Sequence, residues 1–217
     1  MFPLLVFLCF TTVSAAISPV KYDIKLFPDY ENEYFSAHVM VFVSVNESTD
    51  SFELQVSKNL DIKLIHFEKN ASNRVGDLST GQNGTLVQDK KTETLFVTLP
   101  DEIPANSMGN LSRIDIYYRG KFGKKEKKNG LFRTGSRTFE ANLKNGNVTS
   151  LFPVLEDVPI VVELTIQTPR PSKFETNLTP KFNGVYNGHV YNKFVSGDDT
   201  VKLSDVFFQI RLPNGKM

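Results

Sequence analysis

In EYFSAHVMVFVSV (33–45), Phe35, Ala37, Val39, Val41, Val43 and Val45 recur at every second position. Only an extended strand puts such residues on one face, because successive side chains of a strand point to opposite sides. The other face, Ser36, His38, Met40, Phe42 and Ser44, is mixed in polarity. Similar alternation predicts strands in VKYDIKLF (20–27), SFELQV (51–56), IKLIHF (62–67), TLFVTL (94–99) and SRIDIYY (112–118). Further ones are predicted in PIVVELTIQ (159–167), NKFV (192–195) and SDVFFQI (204–210). Glycine, proline, asparagine and aspartate punctuate the gaps, as in NASNRVGD, TGQNG and NGHVYN. No window of a dozen residues carries a helical apolar stripe, and one short helical turn is expected near Leu151–Glu156. The expected fold is all-β: a sandwich or saddle-shaped double sheet of about nine or more mostly antiparallel strands. The strands share no fixed sequence period, which argues against a propeller or solenoid.

The first sixteen residues, MFPLLVFLCFTTVSAA, hold a short apolar run, then small residues, and no charge. That is the layout of a secretory signal peptide. The run is shorter than the about 20 apolar residues a spanning helix needs. The expected organisation is a signal peptide over 1–16 and a single β domain over 17–217, secreted, with no membrane span after cleavage. Cys9, the one cysteine, lies in that signal. The mature chain would therefore have no disulfide, and no cysteine to act as nucleophile or zinc ligand.

Twenty-five basic against 24 acidic residues give a net charge of +1, which argues for neither a nucleic-acid partner nor an anionic membrane. One basic run stands out, KFGKKEKK at 121–128; a solvated loop between strands is expected, and an anion or glycan site is the alternative. Asn-x-Ser/Thr occurs at Asn46, Asn70, Asn83, Asn110, Asn147 and Asn177. Together with an export signal these predict a glycoprotein with those asparagines exposed.

Catalytic chemistry is hard to find. Zinc hydrolysis wants two histidines four apart on a helix, but His38, His66 and His189 are isolated and are expected to be surface or half-buried. Ser136, in GSRTF, lacks the flanking pattern of a nucleophile elbow. Glu156-Asp157 and Asp198-Asp199 are neighbours whose side chains would diverge on a strand, so turn or cap roles are expected. No phosphate-cradling glycine loop occurs. No catalytic residue, metal site or cofactor is assigned.

Several phrases together resemble the N-terminal β domain of the aminopeptidase N family of zinc aminopeptidases. ISPVKYDIKLFPDY is similar to that family's opening, and FSAHVMVFVSVNESTDSFELQVSKNLDI to its next hairpin. TLFVTLPDEI, IDIYYRGKF and NGLFRTGS resemble the strands that follow. FPVLEDVPIVVELTIQTPRPSKFETN is similar to the family's phrase FPCFDEPAFKATFTITI, keeping Phe152, Pro153, an acid at Glu156 or Asp157, Pro159 and Asn177. FVSGDDTVKLSDVFFQI resembles the closing strand, so the similarity covers residues 18 to 212. The resemblance implies that an acid or glutamine eight residues before Phe-Pro grips the substrate amine. Here that position is Lys144, whose cation would repel an ammonium. The family's arginine before Phe-Pro becomes Thr149 and its cysteine after it becomes Val154, and the zinc helix and Gly-Ala-Met-Glu-Asn loop have no counterpart.

Three functions follow as expectations. The first is a secreted, non-catalytic glycoprotein that binds or regulates a related peptidase or other secreted protein. The second is a truncated product of a zinc metalloaminopeptidase. The third is an anion or glycan binder through 121–128. For the paired aromatics Tyr117-Tyr118 and Phe207-Phe208, one member of each is expected to face the core.

Overall fold

Alternating β-branched and aromatic residues leave the chain little choice but pleated sheet. A computed structural model describes residues 16–69, 81–106, 110–123, 129–144 and 147–213. Residues 1–15 of the expected signal peptide, with Cys9, the Asn70 sequon and Lys124–Lys128 of the basic run lie outside them. The strands are β1 (Ile17–Asp29), β2 (Tyr34–Val45), β3 (Thr49–Gln55), β4 (Leu60–Glu68), β5 (Gln82–Asn83), β6 (Thr85–Asp89), β7 (Thr94–Ile103) and β8 (Ser112–Lys121). They continue as β9 (Gly130–Arg133), β10 (Thr138–Asn142), β11 (Val161–Thr168), β12 (Lys173–Thr176), β13 (Thr179–Tyr186), β14 (His189–Val195) and β15 (Phe207–Arg211).

They form an eight-stranded sheet in the order β13-β14-β11-β1-β2-β8-β4-β5, a four-stranded sheet β12-β15-β10-β9 and a three-stranded sheet β3-β7-β6. Among the described residues the paired strands run antiparallel apart from β1 with β11, where Tyr22 lies beside Val162 and Ile24 beside Leu164. The all-β, mostly antiparallel double-layer expectation is met. The expected helical turn is misplaced: a 3-10 turn occupies Asn147–Ser150, while Leu151–Glu156 runs on as irregular backbone. Val154 there exchanges two backbone hydrogen bonds with Gln55 of β3 (2.7 and 2.9 Å). A helix would forfeit that pairing.

One buried apolar cluster joins all three sheets. Ile24, Val39, Ile116, Ile65 and Leu164 enter it from the large sheet, Leu54, Leu95 and Val97 from the three-stranded sheet, and Phe139, Ala141, Phe208 and Ile210 from the four-stranded sheet. The inward positions are those the alternation marks, since a one-residue slip would turn every apolar group to solvent. Tyr118 and Phe208 are buried and their neighbours Tyr117 and Phe207 half-buried, as expected for each pair. The turn between β13 and β14 is Asn187-Gly188, with φ of 48° and 77°. A two-residue hairpin of this hand needs positive φ at both positions, which asparagine and glycine tolerate.

Candidate functional site

Three features among the described residues can carry chemistry. The first is a largely buried chain of charges on the face of the large sheet opposite Ile65, Ile114 and Ile116. β8 places Arg113, Asp115 and Tyr117 on that face, β2 adds His38 and β4 adds Glu68. His38 Nε2 lies 2.8 Å from Asp115 Oδ1, Arg113 Nε donates to Asp115 Oδ2 at 2.7 Å, and Arg113 Nη2 is 2.6 Å from Glu68 Oε2. The Tyr117 ring stacks on His38 at 4.2 Å with planes 5° apart. Arg113 and Asp115 are each only 1% exposed.

Burial opposes the charge on Asp115, but hydrogen bonds from His38 and Arg113 and the Arg113 charge outweigh it and hold the carboxyl below its ordinary 3.8. With both oxygens engaged, Asp115 works as an anchor that locks β2 to β8 and is badly placed to take a proton from a substrate. Nearby, Glu163 of β11 bridges Lys21 (3.2 Å) and Lys193 (2.6 Å). Burial again opposes its ionisation, and the two lysines outweigh it and lower the carboxyl below 4.5.

A depressed folded-state value contributes stability that is complete above the unfolded value and disappears as pH falls through the folded one. Urea midpoints measured against pH should therefore hold down to 4.5 and drop beneath it. An Asp115→Asn/Glu163→Gln variant should start less stable and show a shallower drop. A wild-type profile that stays flat down to pH 3, well under both ordinary values, would contradict this account.

The second feature is a groove of about 720 Å3 between β12 and the β13–β14 hairpin. Its floor holds Phe174 and Phe194, whose rings tilt together at 5.0 Å, and Leu178. β13 is the outer edge of the large sheet, and it leaves Phe182, Val185 and Tyr186 at 62%, 72% and 68% exposure. Sequence reading missed this strand. Neither of its faces is covered, so selection for alternating polarity left no trace in TPKFNGVY.

The third feature is an open cleft of about 790 Å3 at the end of β2, β4 and β8, lined by basic side chains including Lys58, Arg119 and Lys121. A Cβ on Gly120 would lie 2.3 Å from the Phe35 ring and 2.7 Å from Leu60, so glycine lets β8 pass close under the cleft.

The residues singled out in the sequence do not converge. Lys144 is exposed on the turn after β10, where its N–H donates to Asn142 Oδ1 at 3.3 Å. Thr149 O accepts from Ser57 N–H at 3.1 Å, and Val154 is buried. Of the sequons, Asn46, Asn83, Asn110 and Asn177 are exposed, whereas Asn147 is half-buried, a departure from the expectation that arises because it opens the 3-10 turn packed by Val148. Asn177 also clamps backbone, donating to Asp205 O (3.0 Å) and accepting from Phe207 N–H (2.9 Å).

The histidines are dispersed. His38 pairs with Asp115, His66 is buried with Nδ1 2.9 Å from Asn83 Oδ1, and His189 is exposed. Burial of His66 corrects the surface or half-buried expectation: a bulge between Ile62 and Leu64 of β4 sets its register opposite Asp115. Among the described residues, no group of three or more histidines, cysteines, aspartates or glutamates could hold a metal ion. Ser136 sits in an exposed turn, where its carbonyl accepts from Arg133 Nη1 at 3.0 Å. Asp157 Oδ1 accepts from Ser204 N–H at 3.2 Å, and Asp198-Asp199 lie in an exposed turn, the structural roles expected for these acids. No helix among the described residues is long and apolar enough to cross a membrane. The chain matches no model of a known protein family and no curated protein.

Proposed function

We propose that this protein is a secreted, non-catalytic glycoprotein that works by binding, on a scaffold of the aminopeptidase N-terminal type. The partner is a related peptidase or another exported protein, engaged along β13. One observation carries the reading: a sheet edge with open backbone groups that also presents Phe182, Val185 and Tyr186 to solvent. Exposed edges invite an added strand, and large apolar groups left outside a core mark contact surfaces. Such a surface is costly to leave bare in a soluble module, so a partner accounts for it better than chance does.

Two assays test the proposal. Purified protein should release no amino acid from a panel of fluorogenic aminoacyl substrates, with or without zinc. Zinc-dependent turnover would defeat the reading and favour a piece of a metalloaminopeptidase. Captured proteins from the secreted fraction should be lost with a Phe182→Ser/Val185→Ser/Tyr186→Ser variant that melts at the wild-type temperature. Equal capture by wild type and variant would remove β13 as the contact.

A further inference from the structure

The basic cleft takes in Lys121 and Phe122 from the start of the basic run and adds charges that the run does not contain. It draws Lys58 from the β3–β4 turn and Arg119 and Lys121 from β8, so the charges come from two separate parts of the chain. The two carboxylates in its lining are already engaged by cations. Glu33 accepts from Arg133 Nε at 2.8 Å, and Asp61 pairs with Lys63 at 2.5 Å. Beyond Tyr34, Asp29 adds a third acid, whose oxygens accept from the backbone N–H groups of Glu31 and Asn32 and from the Asn32 side chain. The lining thus holds three basic side chains, Lys58, Arg119 and Lys121, beside two carboxylates that Lys63 and Arg133 already pair.

The lip is built rather than loose. Glu33 adopts a positive φ of 55°, its carbonyl accepts from Phe122 N–H at 2.8 Å, and Arg133 Nη2 donates to Tyr30 O at 2.7 Å. Tyr34, 39% exposed, and half-buried Phe122 give the cleft apolar ring surface beside the cations, and Asn32 and Asn59 add amides. Rings for the faces of sugars, amides for hydroxyls and spaced cations for sulfates are what a sulfated glycan requires. A phosphate nest would instead show converging backbone N–H groups.

We propose that this cleft binds a sulfated oligosaccharide, with Lys58, Arg119 and Lys121 contacting sulfates and Tyr34 and Phe122 backing the sugar rings. The site is independent of the β13 reading, since β14, β11, β1 and β2 separate β13 from β8 in the sheet.

Titration calorimetry of the full chain with a heparin-derived oligosaccharide tests it. Wild type should bind, more weakly as salt rises. A Lys58→Ala/Arg119→Ala/Lys121→Ala variant should lose about tenfold or more in affinity. Lys90→Ala/Lys91→Ala, which removes two exposed lysines outside the cleft lining, should bind as wild type. Should the triple variant fail to fold, Lys58→Glu, at an exposed turn, carries the same expectation. Desulfated heparin should not bind, and inorganic polyphosphate should bind less well than the sulfated sugar. The proposal is overturned by absence of binding, by equal binding of polyphosphate or desulfated sugar, or by loss of affinity only when Lys124 and Lys125 are changed.

Discussion

Arg113→Ala will destabilise the protein by about 3–5 kcal/mol, the range found when one partner of a buried ion pair is removed. The guanidinium is 1% exposed and ties Asp115 of its own strand to Glu68 of the neighbouring one. Deleting it leaves Asp115 buried without the guanidinium, His38 still 2.8 Å from its other oxygen, and a cavity where the side chain stood. Arg113→Lys should lose less, because it keeps a positive charge, but a single ammonium cannot reproduce two contacts made from different guanidinium nitrogens. Urea denaturation with an unchanged slope would report both. A loss under about 1 kcal/mol for Arg113→Ala would mean that water replaces the guanidinium and that the charge chain is only superficially buried.

Phe152→Ala should be comparably damaging, about 3–5 kcal/mol, from lost burial and the cavity left behind. Phe152 is fully buried, and the backbone around it stitches the layers together. Tyr118 hydroxyl donates to Leu151 O at 2.8 Å, Leu155 N–H donates to the Tyr22 hydroxyl at 2.9 Å, and Val154 pairs with Gln55. A domain holds only about 5–15 kcal/mol in reserve, so this one truncation consumes a large share. Thermal melting should show a fall well beyond that of Phe182→Ala, where the ring is mostly solvated. Equal melting temperatures for the two would refute the packing described for residues 148–155.

The two substitutions also separate what can be read locally from what cannot. Phe152 stood out in the sequence through its place in a recognisable phrase, whereas Arg113 gave no sign of burial in SRIDIYY. Its partner Glu68 lies on another strand, and His38 is 77 residues from Asp115. The basic cleft repeats the pattern. Lys121 lies in the conspicuous run, but Lys58 and Arg119 are single charges in unremarkable surroundings until β4 and β8 are paired. Edge strand β13 was equally opaque, since an uncovered strand has no inward face to record in its composition, while β12, four residues long with only Phe174 and Thr176 turned inward, is too short to show a period.

Sequence by itself determined the strand identity of the central elements, the face each turns inward and hence the all-β class. The reason is that strand periodicity and apolar burial act on neighbours one and two positions apart. Tertiary structure alone decided the sheet order, the parallel pairing of β1 with β11, the burial of Arg113 and Asp115, and the convergence of cations at the cleft. Those depend on contacts between segments tens of residues apart, set by how the layers pack and by register, and no local pattern encodes them.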